Sequence, residues 1–470
     1  MVFSSPSFLF FFLPIFLFFY FCAPGTKFKN YVLTAFSLLF YVWGDLQHLP
    51  LLVALITMNY FFALSISIGD RCKKAAFWTG IIFNISVLLV CKYAGFFVAN
   101  INVILSSFHG KLTAPGIVMP LGISFFTFHA ISYLIDIYRG KVRANGRFDE
   151  VFVYMAMFPQ LIAGPIVRYS LIARSIRDRR TTLGRMSAGL RIFIVGLAWK
   201  VLIADEVAKI VAVIFDETPH PNFYEAWLGI LAYAVQIYFD FGGYSNMAIG
   251  LALALGLHFP RNFRLPYSAR SVGEFWRRWH MSLSSWFRDY VYIPLGGNRG
   301  TPARTAVNLW TVFLLCGLWH GASWTFVIWG AHHGFFLVME RGRFGACLAR
   351  APWLLGNLYT LLAVMGGWVW FRAKDVSHAL QFFQGLTGLN DFGPLSQSAH
   401  IVLHPVSVTA LIGGWLLAIF GIPRSILTVF KKTGQPVTAL GETFLMGLIF
   451  ILSLLAVGSS SFSPFLYFQF

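Results

Sequence analysis

Apolar runs recur along nearly the whole chain, and polar residues arrive in short bursts between them. The runs lie at 8–24, 30–43, 49–67, 76–92, 117–137, 150–167, 189–213, 227–256, 306–318, 324–340, 353–371, 403–421 and 440–457. Several reach the ~20 residues that span a ~30 Å hydrocarbon core, which predicts an all-α integral membrane protein with about 11–13 membrane helices. The ten-residue alternation of a membrane barrel is not the pattern seen. The runs at 30–43 and 306–318 are short for a span, so both are predicted as re-entrant or tilted pieces packed inside protein. The stretch from Met1 to Gly25 lacks a basic leader region and a small-residue cleavage site before Cys22. It reads as a retained first helix.

Two segments interrupt this regime. In S-V-G-E-F-W-R-R-W-H-M-S-L-S-S-W-F-R-D-Y, residues 271–290, the positions Phe275, Trp279, Leu283, Trp286 and Tyr290 recur at helical spacing. On a helix they share an arc of about 80°, with Arg277 and Arg288 opposite. The pattern predicts a surface amphipathic helix near 271–290, its aromatics in the headgroup boundary and its guanidinium groups toward water or lipid phosphate. His280 falls on the border between the two faces, and Arg278 lies beside the aromatic arc. The second interruption, at 236–250, inserts Gln236, Asp240, Tyr244, Ser245 and Asn246 into a long apolar run. Such groups avoid lipid, so they either line a wet cavity or bond between helices, with Gly242 and Gly243 permitting close approach. Both readings stay open.

Composition agrees with the pattern: of 470 residues 57% are hydrophobic and 11% charged, where a soluble domain carries about one-quarter charged residues. The net charge of +18 would raise nucleic acid as a partner in a soluble protein. Here the positive-inside rule accounts for it, nucleic acid is not expected, and the basic clusters at 139–147, 168–191 and 261–304 are predicted to face the cytoplasm. The clusters at 71–74 and 424–432 are read the same way. From Arg261 to Arg304 there are eight arginines against Glu274 and Asp289 alone. That excess suits a polyanionic ligand such as a nucleotide-bearing thioester, or lipid headgroups. The cysteines, Cys22, Cys72, Cys91, Cys316 and Cys347, are scattered and indicate neither a disulfide framework nor a zinc site. No resident metal or cofactor is expected. With no repeat and no linker, residues 1–470 read as a single multi-pass domain.

Residues 316–334, C-G-L-W-H-G-A-S-W-T-F-V-I-W-G-A-H-H-G, place His320, His332 and His333 among apolar and aromatic side chains. A neutral imidazole serves as a base near neutral pH where lysine does not. Trp319 and Trp324 would exclude water, and Gly317 and Gly321 would let a substrate approach the backbone. His333 follows His320 by thirteen residues, roughly 220° away on one unbroken helix, so the two would not share a face. His332 and His333 therefore read as packing or hydrogen-bonding residues. The residues alone leave His320 between packing and catalysis.

Several blocks in order carry a resemblance. They are M-V-F-S-S at the first residue, P-L-G-I-S-F-F-T-F-H-A-I-S-Y-L-I-D-I-Y-R-G at 120–140, F-P-Q-L-I-A-G-P-I-V-R at 158–168 and the insertion at 236–250. E-F-W-R-R-W-H-M-S-L-S-S-W-F-R-D-Y-V-Y-I-P-L-G-G-N-R-G at 274–300 and G-L-W-H-G-A at 317–322 complete the set. In these the chain resembles the membrane-bound O-acyltransferase superfamily, in particular its bacterial alginate O-acetyltransferase group. The likeness runs from residue 1 to about Arg372; residues 373–470 show hydrophobic helices without a motif. It departs at His129, where members often carry Glu or Gln, and at Asp240–Asn246, where they often read D-F-S-G-Y-S-D.

The resemblance implies a ring of helices around a central chamber. It implies His320 as the catalytic base and His280 as a second histidine near the reaction centre. Trp319, Asp240, Tyr244, Asn246, Arg277, Arg278, Arg288, Asp289 and Asn298 become candidate substrate-binding residues. It further implies an inner-membrane O-acetyltransferase that moves acetyl groups from a cytoplasmic donor, acetyl-CoA, toward a periplasmic exopolysaccharide, alginate first. A periplasmic acetyltransferase partner would complete the transfer, and membrane lipid surrounds the whole. Cellulose or peptidoglycan as acceptor remains open. Rivals of other classes are an exporter of lipid-linked sugar and a scaffold of a secretion complex.

Overall fold

The computed structural model describes residues 2–144, 146–421 and 436–459, and its regular structure there is helical throughout. Helices long and apolar enough to cross a membrane are Leu49–Ile68, Cys72–Ser106, Leu183–Glu217, Trp353–Arg372 and Gly441–Ser459. Shorter apolar helices are Ser7–Cys22, Ile123–Tyr138 and Pro405–Phe420. The protein is a multi-pass, all-α membrane protein. The basic cluster at 424–432 lies outside the described residues.

The two runs predicted as short pieces are full helices, Gly25–Asp45 and Pro302–His320. Their apolar centres continue through polar flanks, Lys27, Lys29 and Asn30 in one and Arg304 and Asn308 in the other. Backbone bonding carries the helix past the point where hydropathy falls. Pro302 at the first position, with Thr301 accepting from the Arg304 amide at 3.2 Å, starts the second one early. The run at 150–167 does the reverse. It breaks into Phe148–Ala156, a single turn Phe158–Leu161 holding Pro159, and extended chain.

The chain forms two compact units. The first comprises Met1–Leu190 and Ala248–Pro260. Residues 2–5 fold back into it: Ser5 Oγ donates to the Val2 carbonyl at 2.8 Å and accepts from the Phe8 amide at 3.3 Å, and Phe3 is buried. Phe158 then packs against Phe16 and Phe12, ring centroids 5.1 and 5.4 Å away. Asn59 and Asn84 exchange side-chain amide hydrogen bonds of 3.0 and 2.8 Å between neighbouring helices, the glue expected where lipid offers no partner. The helix Ile123–Tyr138 is buried on almost every side and encloses His129, Ser132 and Asp136.

The second unit comprises Arg191–Met247 and Arg261–Phe470. Gly196 and Gly243 bring two helix backbones together: a Cβ on either would meet the other's carbonyl oxygen at 2.6 or 2.7 Å. Pro302–His320 and Trp324–Met339 form a hairpin turned at Gly321–Ser323, where Ser323 Oγ accepts from the Thr325 amide at 3.3 Å. A Cβ on Gly317 would lie 2.2 Å from the Phe326 carbonyl oxygen, and one on Gly330 2.3 Å from that of Phe313. These glycines set how tightly the hairpin closes.

Candidate active site

The 271–290 stretch is not one surface helix. Ser271 caps the helix Val272–Arg278, its Oγ accepting from the Glu274 amide at 3.0 Å. The chain then turns through His280 at φ 41°, a left-handed conformation rare for a bulky residue, into a second helix Met281–Phe287. The cause lies in the neighbouring backbone. The Met281 amide donates to the Asn262 carbonyl at 2.9 Å, and the Arg264 amide to the Arg278 carbonyl at 2.9 Å. The Ser282 amide goes to Asn262 Oδ1 at 3.3 Å. In an unbroken helix those amides of 281 and 282 would have reached the carbonyls of 277 and 278. Phe275, Trp279, Leu283, Trp286 and Tyr290 are all buried, so the aromatic arc faces protein.

His280 is fully buried. Its Nδ1 lies 3.1 Å from Asn262 Oδ1, while Nε2 has no hydrogen-bond partner. The ring stands edge-on to Phe241 at 4.7 Å and 6.3 Å from the ring of Trp319. Asn262 Nδ2 donates to Ser245 Oγ at 3.1 Å, tying this junction to the polar insertion of the helix Phe223–Ala254.

His320 ends its helix inside an aromatic box, 5% exposed. Ring centroids lie at 4.9 Å for Trp319, 5.0 Å for Trp329 and 5.1 Å for Phe371. His333 meets Trp329 at 5.0 Å and Trp276 at 5.1 Å, and Trp276 Nε1 donates to its Nδ1 at 3.4 Å. His332 Nε2 bonds the Ala363 carbonyl at 2.7 Å. Because a hairpin replaces the single helix, His320 and His333 share Trp329 after all. At the far end of the same helix, Glu340 accepts from the Val272 and Gly273 amides at 2.5 and 2.8 Å and from the Tyr359 hydroxyl at 3.2 Å.

Beside the box a cleft of about 400 Å³ has Trp276, Met281, Phe313 and Cys316 in its walls and Arg277 and Arg288 on it as well. Cys316 lies one helical turn before His320.

The structure thus brings His280, Trp319 and His320 together. Other candidates sort differently. Asp240 is buried in an ion pair with Lys200, 2.7 Å away, and Lys200 also reaches Asp205 at 2.7 Å. The insertion at 236–250 therefore serves contacts between segments as much as any cavity. Tyr244 is buried, and Asn246 is half-buried against Gly196. Arg277 and Arg288 are exposed on the cleft, whereas Arg278 is engaged with Glu274 and, at 2.7 Å, with Ser268 Oγ. Asp289 pairs with Arg288 at 2.7 Å. Asn298 is exposed and held by Tyr292 and by Arg341 at 2.9 Å, bonds that lead away from the histidines. Trp324 is 54% exposed, so about half of its surface faces away from protein. Gly317 and Gly321 are faced by Phe326, so they serve packing rather than substrate approach. Sequence reasoning missed Asn262, Trp276, Trp329 and Lys200. A lysine in the most apolar part of the run at 189–213, flanked by Trp199 and Val201, was a usable signal for the last; R-N-F-R at 261–264 offered none for the first.

Imidazoles buried among aromatic rings within a helical membrane protein are able to take a proton from a hydroxyl or thiol, as acyl transfer requires. A family model for the membrane-bound O-acyltransferases matches residues 147–369. Over the whole of both chains the protein is 39% identical to "Probable alginate O-acetylase AlgI" of Azotobacter vinelandii and 40% identical to the protein of that name from Pseudomonas putida. It is also 38% identical to the peptidoglycan O-acetyltransferase of Helicobacter pylori, across 83% of this chain and 80% of that one. The chain belongs to the membrane-bound O-acyltransferase family, and it is an O-acyltransferase.

Proposed function

We propose that the protein sits in a bacterial inner membrane and takes acetyl groups from acetyl-CoA on the cytoplasmic side. It passes them toward a hydroxyl of an extracytoplasmic polysaccharide, alginate first, with a periplasmic acetyltransferase completing delivery. The observation that supports this reading is the cleft. Arg277 and Arg288 on it offer charge for donor phosphates, and Cys316 in its wall is one turn from His320. The basic loops at 139–147, 168–191 and 261–304 would face the cytoplasm.

In this scheme His320 takes the proton of the attacking hydroxyl as the new C–O ester bond forms. The C–S bond of the thioester breaks, and the departing thiolate takes the proton back from the His320 imidazolium, which restores the neutral base. Trp319, Trp329 and Phe371 keep water from competing for the acyl group. The Helicobacter pylori relative favours a second reading, peptidoglycan as acceptor by the same chemistry.

Proteoliposomes supplemented with the periplasmic acetyltransferase partner, given acetyl-labelled acetyl-CoA and either alginate or peptidoglycan oligosaccharides, test both readings. Release of free CoA together with label on alginate, lost in His320→Ala, is the expected result. Label on peptidoglycan alone would transfer the reading to that polymer. Absence of thioester consumption with correctly inserted protein would overturn both.

A further inference from the structure

Asn262 holds His280 from two sides. Its backbone carbonyl accepts from the Met281 amide at 2.9 Å, which fixes the left-handed turn. Its side-chain oxygen lies within 3.3 Å of the Ser282 amide, 2.9 Å of Ser282 Oγ and 3.1 Å of His280 Nδ1. A backbone N–H only donates, so the atom facing Ser282 is an acceptor, the amide oxygen. The Asn262 nitrogen is accounted for separately by Ser245 Oγ at 3.1 Å. Ser282 Oγ also stands 3.5 Å from Nδ1, but its proton goes to Asn262 Oδ1 at 2.9 Å. Nδ1 of a neutral imidazole therefore faces acceptors and carries the proton. Nε2 then carries only a lone pair, and it is the ring nitrogen without a partner.

We propose that Asn262 is a positioning residue that sets the tautomer of His280, placing the proton on Nδ1 and presenting a bare Nε2 as a second acceptor beside Trp319. The role rests on the acyl-transfer reading above. It also defines what His280 does: Nε2 accepts a hydrogen bond from the acceptor hydroxyl or from the departing thiol, while His320 takes the proton. The left-handed backbone fits this picture. Strain of that kind persists only where the surroundings over-determine it, and Asn262 supplies both the backbone and the side-chain restraint.

The test has a spectroscopic arm and a kinetic arm. Full-length protein carrying ring-¹⁵N histidine, reconstituted in lipid, is read by solid-state NMR, with the His280 signal assigned by its absence in His280→Gln. The expected wild-type signal is the neutral tautomer protonated at Nδ1. Asn262→Leu removes the acceptor at similar volume, and Asn262→Asp keeps an acceptor oxygen at the same reach. Asn262→Leu also loses the bond to Ser245, for which Ser245→Ala is the control, whereas in Asn262→Asp the second carboxylate oxygen accepts from the Ser245 hydroxyl.

Asn262→Leu should mix or invert the tautomer and lower kcat by roughly 10²-fold, the scale of a lost proton-transfer group, with KM for acetyl-CoA little changed. Asn262→Asp should keep the tautomer and recover much of the turnover. A proton on Nε2 of His280 in the wild type would overturn the proposal, and so would an unchanged tautomer or wild-type turnover in Asn262→Leu. The NMR arm needs no acetyl donor. Wild-type protein that fails to consume acetyl-CoA would therefore sink the functional reading while the tautomer still decides the role of Asn262.

Discussion

His320 and His333 stand against the same indole, each ring centroid 5.0 Å from that of Trp329 at interplanar angles of 82° and 73°. The likeness ends there. His333 accepts from Trp276 and is wedged among Trp276, Trp329 and Trp368, whereas His320 sits at the open end of its helix, next to the turn. His320→Asn keeps an amide's hydrogen bonding and loses basicity, so acetyl transfer should fall by about 10²-fold or more while the protein inserts normally. His333→Gln should retain most turnover, and His333→Ala should lower the unfolding midpoint in detergent. Coupled thiol-release and thermal-shift assays check the pair. Wild-type turnover in His320→Asn would remove it from the chemistry.

The arginines divide by what they touch. Arg277 is exposed on the cleft, so Arg277→Gln should raise KM for acetyl-CoA by up to ~5-fold, the factor that about 1 kcal/mol from an exposed charge provides. Arg288→Gln should raise it less, because Asp289 already pairs with Arg288. The effect should shrink at high ionic strength. Arg278 instead links Glu274 to Ser268. Arg278→Gln should leave KM alone and reduce stability. Identical KM values in all three variants would argue that the cleft does not hold the donor.

Lys200 and Asp240 are 4% and 1% exposed, and they form a bridge deep within the second unit. Removing one partner of such a pair strands the other, at a cost of about 3–5 kcal/mol. Lys200→Met should therefore cut the yield and unfolding midpoint sharply. Lys200→Met/Asp240→Asn should recover part of the loss, because Asp240 is then neutral. A double variant no better than the single one would contradict this account. Fluorescence-detected gel filtration after heating reads the difference.

Gly317 marks the point of closest backbone approach in the histidine hairpin. A methyl group there would sit 2.2 Å from a carbonyl oxygen, and neither helix can yield without moving His320. Gly317→Ala should destabilise by at least the ~1–3 kcal/mol typical of overpacking and lose activity with it. Gly413→Ala, with nothing within 4 Å of the added carbon, is the matched control and should behave as wild type.

Much of this was legible in the sequence, for physical reasons that differ by residue. Lipid allows only self-satisfied backbone, so apolar length located most of the helices, though not the polar ends of Gly25–Asp45 and Pro302–His320 or the break after Ala156. His320 stood out because an imidazole among tryptophans and glycines is chemically conspicuous. The break at His280 was not legible. The helical period of Phe275, Trp279, Leu283, Trp286 and Tyr290 runs straight through it, and the interruption is imposed by Asn262, eighteen positions away along the chain. Asn262 itself sits between arginines in a loop and signals nothing until the fold delivers it. The shared Trp329 was hidden for a similar reason: a turn at Gly321–Ser323 reverses which residues face one another, whereas the spacing of His320 and His333 was counted along one unbroken helix.

Glu340 grips two successive amides of the helix Val272–Arg278 while belonging to the end of the helix that carries His333. One carboxylate thereby keys the segment that delivers His280 to the hairpin that bears the other histidines. Pulling the two apart would break two charge-assisted hydrogen bonds at once. The wall and the hairpin are latched to each other at this end of the cleft.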